Sequence, residues 1–248
     1  VLTGIHLTSY GRDVKDGTTL LDAIRAAHDV PGIARVRLGS LEPVVVTPEF
    51  VEGIKALPKV CHQFHLALQS GSDTVLARMR RRYTSGEFLT ACAMLRRAFE
   101  DCALTTDVMT GFPGEGEAEF EELCAFLRTA GIERAGIFQF SPEEGTPAAA
   151  MEGQVDPAVA ERRVELLVDL QSRVMDAWNE RRLGETLEVL CEGFDPEMGC
   201  YAGRCYADSP DVDGKVFFTA GGLVAAGSFV PVRITGVSDG DLTGEIED

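Results

Sequence analysis

Two segments concentrate the groups that could hold a small molecule. HLALQSGSDTVLARMRRRYTSGEF (residues 65–88) and TTDVMTGFPGEGEAEF (residues 105–120) each run from an apolar stretch through a turn into a charged, helix-like stretch. The first turn offers Gln69, Ser70, Gly71 and Ser72, and the second offers Gly111, Gly114 and Glu115. None of these is a strong nucleophile. They suit hydrogen bonding and close backbone approach, and in parallel α/β folds ligands sit at the carboxyl ends of the strands. Gln69–Ser72 brings an amide, two hydroxyls and free backbone N–H groups to a helix start, which fits a carboxylate, a ribose or plain helix capping. Gly111–Glu115 reads either as a phosphate-binding turn or as a tight strand-to-helix turn, and it matches neither G-x-G-x-x-G nor a P-loop. Arg78, Arg80, Arg81 and Arg82 are the strongest basic run. They form a solvated helix end or a clamp for phosphate or a substrate carboxylate. His6, His28, His62 and His65 show no nearby carboxylate at ligand spacing, and His65 alternates into an apolar strand as a structural residue. No Ser-His-Asp or Cys-His arrangement emerges.

The elements that must position these turns alternate. Strands are predicted at Val1–Leu7, Ala34–Leu38, Gln63–Leu68, Leu104–Met109 and Arg134–Phe140, with helices at Leu20–His28, Pro48–Leu57, Asp73–Met79, Ser85–Phe99 and Glu117–Ala130. This rhythm implies an α/β fold with a parallel sheet, as a barrel or part-barrel. Thr47-Pro48 reads as an N-cap with proline at the first helical position, and Thr84 with Glu87 as a capping box. A long helix opens at Asp156-Pro157 and runs to about Leu183, with Val164, Leu167, Val168, Gln171, Val174 and Trp178 down one side and Gly184 as its cap. Beyond Gly184 the period changes to two. Thr186–Cys191, Cys200–Tyr206, Lys215–Thr219, Phe229–Gly236 and Gly244–Glu247 read as five short strands of a small barrel of the oligomer-binding type. The domains expected are therefore residues 1–155, a connecting helix 156–183, and a barrel 184–248.

Composition narrows the partners. The formal net charge is −17, which argues against broad nucleic-acid binding. The charge is uneven: residues 185–248 carry three basic and thirteen acidic side chains, suiting a solvated surface or a docking face for a basic protein. The seven cysteines are odd in number and show no C-x-x-C pair, as expected of free thiols in a reducing cytoplasm, so no metal ligands are assigned. The uncharged run Val216–Val232 is broken by Gly221, Gly222, Gly227 and Pro231 and fits two strands and a turn better than a membrane helix.

Taken together, LTGIHLTSYGRD, RLGSLEP, FHLALQSGSDTVLARMRRRY, TTDVMTGFPGE, FSPEEGTPAAAM and GFDPEMGCYAGRCYADSPDVDGKVFF resemble the radical S-adenosylmethionine methylthiotransferases. The resemblance implies a partial radical-SAM (β/α) barrel followed by a small TRAM β-barrel. It implies S-adenosylmethionine as cofactor, cleaved to a 5′-deoxyadenosyl radical, and two 4Fe-4S clusters. Gln69 to Ser72 and Gly111 to Glu115 would lie on the cofactor's side of the barrel, with Arg78–Arg82 toward the substrate. The family's C-x-x-x-C-x-x-C and its three auxiliary cysteines are absent, and the chain opens at Val1 inside what reads as a strand. The expectation is an N-terminally truncated member, inactive alone. The resemblance also divides. Residues up to about Glu115 look like enzymes acting on threonylcarbamoyladenosine in transfer RNA, and residues from about Phe138 like those acting on an aspartate of ribosomal protein S12. The acidic barrel favours S12, the arginine run Arg78–Arg82 is the main support for transfer RNA, and a non-catalytic binding remnant is the third reading.

Overall fold

The computed structural model describes residues 1–247, and the chain divides into two compact units, Val1–Val174 and Met175–Asp248. The first unit is built on four parallel strands in sequential order: β1 (Val36–Leu41), β2 (Val60–Leu66), β3 (Ala103–Thr110) and β4 (Arg134–Gln139). Helices α1 (Leu20–His28), α2 (Pro48–Lys55), α3 (Asp73–Arg78), α4 (Ser85–Ala98) and α5 (Glu117–Ala130) connect and cover them. Strand alternation sends Leu38, Phe64, Leu66, Leu104 and Val108 to one face, where they pack with Phe88, Leu95, Leu123 and Leu127 in the apolar core. Helix starts follow local chemistry. Thr47 accepts from Phe50 N at 3.2 Å, and Thr84 and Glu87 close a reciprocal capping box.

The segment predicted as a first strand, Val1–Leu7, does not form one. Only Leu2 bridges β1, through Leu2 N to Arg37 O at 2.8 Å and Gly39 N to Leu2 O at 2.7 Å. Gly4 and a fully exposed Ile5 follow, and a 3-10 turn takes Leu7–Ser9. The alternation there has too little apolar surface to bury against a neighbour.

Helix α6 (Pro157–Glu180) is the predicted long helix. Leu167, Gln171 and Trp178 are buried, but Val168, placed on the same side by the sequence, is 47% exposed. The second unit closes β5 (Thr186–Asp195), β6 (Cys200–Arg204), β7 (Val216–Thr219), β8 (Phe229–Ser238) and β9 (Asp241–Glu245) into a barrel in the order β5-β6-β7-β9-β8. Its interior is filled by Val189, Cys191, Val216, Phe218, Val232, Ile234 and Leu242. Among the described residues no helix is long and apolar enough to cross a membrane.

Candidate functional site

The turns after β2 and β3 and the segment after β4 meet at the carboxyl edge of the parallel sheet. Gln69 adopts φ +69° and is stitched to β3 by Gln69 N to Asp107 O and Met109 N to Gln69 O, both 2.9 Å. Gln69 lines a cavity of about 270 Å³. Met109, Phe112, Phe140 and Met151 contribute an apolar lining, and Arg80 and Arg81 contribute charge. Ligand pockets run to roughly 300–1,000 Å³, so this cavity matches part of a larger molecule.

Most of the other residues singled out from the sequence are packed into the protein. Ser70 and Ser72 are fully buried, with Ser72 N donating to Ser70 Oγ at 3.2 Å. The Ser72 hydroxyl is buried with no hydrogen-bond partner. Gly71 is pressed against α5, where a Cβ would lie 2.6 Å from Phe126 Cβ. Gly111 and Gly114 both hold positive φ, and they face Ala160 and the Arg78 guanidinium. Arg78 donates to Pro113 O at 2.7 Å and Glu152 O at 3.1 Å, so it braces the rim of the cavity. Arg82 is exposed and lies outside the cavity lining.

Glu115 is 3% exposed. Its Oε1 accepts from Thr110 Oγ1 at 2.7 Å, Gly111 N at 2.8 Å and Arg163 Nη1 at 2.9 Å. Arg163 also donates to Glu115 O at 3.0 Å and sits 5.0 Å from the Phe120 ring centroid. This buried pair pins α6 to the turn after β3, which sequence spacing could not reveal because the partners are far apart in the chain.

The histidines correct the sequence reading, which found no carboxylate partners. His6 Nε2 lies 3.0 Å from Glu42 Oε2, His28 Nδ1 lies 3.0 Å from Asp29 Oδ1, and His65 Nε2 lies 3.6 Å from Asp107 Oδ2. Two of these pairs join residues from different segments of the sheet region. The alternating exposure of His65 and Asp107 on neighbouring strands was the available signal. His6 also lines a wider opening of about 620 Å³ formed by residues 3–7 and 9–14 and Thr18.

The residues present do not fit an iron–sulfur cluster. Cys61, Cys92, Cys102, Cys191 and Cys205 are buried, and Cys124 and Cys200 are half-buried. Burial pushes the Cys92 thiol up to about 12 and raises Cys102, Cys124 and Cys200 as well, away from the thiolate that binds metal. Among the described residues no three His, Cys, Asp or Glu side chains are grouped to hold a metal ion.

A family model for the Radical SAM superfamily matches residues 4–127, and one for the TRAM domain matches residues 183–246. The chain is similar to the "Ribosomal protein uS12 methylthiotransferase RimO" of Desulforudis audaxviator, 40% identical over 99% of this chain and 54% of that protein. The same-named protein of Geobacter sulfurreducens is 39% identical over 97% of this chain and 54% of its own length. The chain thus spans about half the length of the curated relatives it matches. Among solved structures, Escherichia coli coproporphyrinogen III oxidase (HemN), a radical SAM enzyme, aligns with a TM-score of 0.50 at 11% identity, covering 75% of this chain and 50% of that one. That likeness concerns the fold alone.

These matches overturn one expectation. The chain does not divide between two branches, because relatives of one kind match 97–99% of it, across both halves. The superfamily match itself opens at residue 4 and runs to residue 127.

Proposed function

Because the chain belongs to the radical S-adenosylmethionine superfamily, we propose that it serves the methylthiolation of an aspartate of ribosomal protein S12, in the cytoplasm. The observation that carries this reading is the match, over 97–99% of the chain, to relatives named for that activity. Charge supports it. Two of the barrel's three basic side chains are engaged, Arg204 with Glu192 at 2.5 Å and Arg233 with Glu247 at 2.6 Å, while thirteen acidic residues lie in that region. Such a surface attracts a basic ribosomal protein and repels the phosphates of transfer RNA.

S-adenosylmethionine, when bound, supplies the methyl group and the source of the hydrogen-abstracting radical. The Gln69 amide offers it hydrogen bonds from the cavity wall, while Ser70, Gly71, Ser72, Gly111, Gly114 and Glu115 hold the backbone of the two turns in place around it. Met109, Phe112 and Phe140 keep water from the apolar wall. Arg80 and Arg81 receive the substrate carboxylate at the rim, which Arg78 braces, and Arg82 adds charge outside it. Among the described residues the cysteines are not grouped to hold a cluster.

The test is the affinity of the chain for an S12 peptide carrying the modified aspartate. Replacing both Arg80 and Arg81 by alanine is expected to weaken it about tenfold or more, the loss of a charge-assisted contact. Unchanged affinity would remove the arginines from the site.

A further inference from the structure

The face of the sheet opposite the apolar core carries a continuous row of polar side chains. Arg37 on β1 donates from Nη1 to Gln63 Oε1 at 2.8 Å, and Gln63 Nε2 donates to Thr105 Oγ1 at 2.9 Å. Thr105 Oγ1 meets His65 Nδ1 at 3.2 Å, and His65 Nε2 faces Asp107 Oδ2 across 3.6 Å. Arg37, Gln63 and Thr105 are at most 6% exposed, whereas the His65 and Asp107 side chains are 24% and 47% exposed. The row therefore begins in the interior and ends at an accessible pair.

Its direction is forced. A guanidinium only donates, so the Gln63 oxygen must face Arg37 and its NH₂ must face Thr105. The Thr105 hydroxyl, already an acceptor, keeps one hydrogen, and a buried hydroxyl hydrogen left without a partner is costly. The His65 Nδ1 lone pair accepts it. The ring proton of neutral His65 then sits on Nε2, beside the Asp107 carboxylate. Gly136, the register partner of Asp107 on β4, leaves room for that carboxylate, since a Cβ there would stand 2.9 Å from Asp107 Oδ1.

We propose that Arg37, Gln63, Thr105 and His65 form a one-way hydrogen-bond relay that fixes His65 as the Nε2–H tautomer, so that His65 and Asp107 present a donor beside an acceptor to a group bound on this face. The 3.6 Å gap exceeds a hydrogen bond, and a single hydroxyl-type group spans it by accepting from one partner and donating to the other. Met109, two residues beyond Asp107 on the same face of β3, lines the candidate cavity, so the pair stands about 7 Å along the strand from that wall. The buried members are positioning residues. The relay is independent of which substrate the chain serves.

The experiment is nitrogen-15 NMR of the histidine rings in the full chain at about pH 8.5, two units above the ordinary imidazole value. Wild type and Thr105→Ser, which keeps the hydroxyl, are expected to show His65 protonated at Nε2. Gln63→Glu still accepts from Arg37 but cannot donate to Thr105. Thr105 must then turn its hydrogen toward residue 63, and His65 is expected to switch to the Nδ1–H form. Wild-type His65 protonated at Nδ1, or a folded Gln63→Glu protein with an unswitched tautomer, overturns the proposal. The wild-type measurement decides by itself if the Gln63→Glu variant fails to fold.

Discussion

Tyr83 and Cys92 hold their protons because the folded chain buries them. Burial pushes both to about 12, and the Tyr83 hydroxyl donates to Leu68 O at 3.3 Å, a bond that needs the protonated phenol. A folded-state pKa raised above the unfolded value means that the native state retains a proton the unfolded chain gives up. Their contribution is thus complete at neutral pH and is lost as pH rises from about 9 toward 12. Denaturant midpoints should fall progressively across that window, and Tyr83→Phe should flatten part of the fall. A midpoint constant from pH 9 upward would contradict the burial argument. At this scale the sequence drew attention to the turns after β2 and β3 but not to the partners their side chains find. Gln69 reaches the cavity, while Ser70, Ser72 and Glu115 turn inward, because a turn's composition does not fix which way its side chains point. The His65–Asp107 and Glu115–Arg163 pairs are products of strand register and helix docking, which no local spacing encodes.

Helix α6 is fastened to the turn after β3 by one buried ion pair beside its apolar contacts. Glu115 and Arg163 share two hydrogen bonds, and both are almost wholly buried. Removing Glu115 leaves the buried Arg163 with only the exposed Glu117 carboxylate, 3.5 Å away. Glu115→Ala should therefore cost about 3–5 kcal/mol in urea unfolding, whereas a cost below about 1 kcal/mol would mean that Arg163 finds water on its own. The elements themselves were largely legible. Helices α1 and α5 occupy the predicted Leu20–His28 and Glu117–Ala130, because apolar spacing and end signals agree there. The last barrel strand lies at Asp241–Glu245, earlier than the predicted Gly244–Glu247, because it pairs with both β7 and β8 and that register is set by tertiary contacts. The predicted Val1–Leu7 strand failed for the complementary reason, since strand-like residues with a single bridging partner do not make a strand.

At the scale of the whole molecule, the chain joins a superfamily scaffold to an acidic barrel, and its own cysteines are not arranged for a cluster. Anaerobic reconstitution of this chain with iron and sulfide should leave no stoichiometric iron after desalting. One cluster's worth of bound iron per chain would show that the buried thiols rearrange. The proposed partner rests on two separate supports, the barrel's charge and the match to proteins named as uS12 methylthiotransferases. The central claim is that partner, and direct competition tests it. Labelled ribosomal protein S12 is titrated with the full chain at low and moderate salt, with transfer RNA as competitor. The account predicts S12 binding that weakens as salt rises and that transfer RNA does not displace. Preferential binding of transfer RNA, or no binding of S12 at low salt, would contradict it.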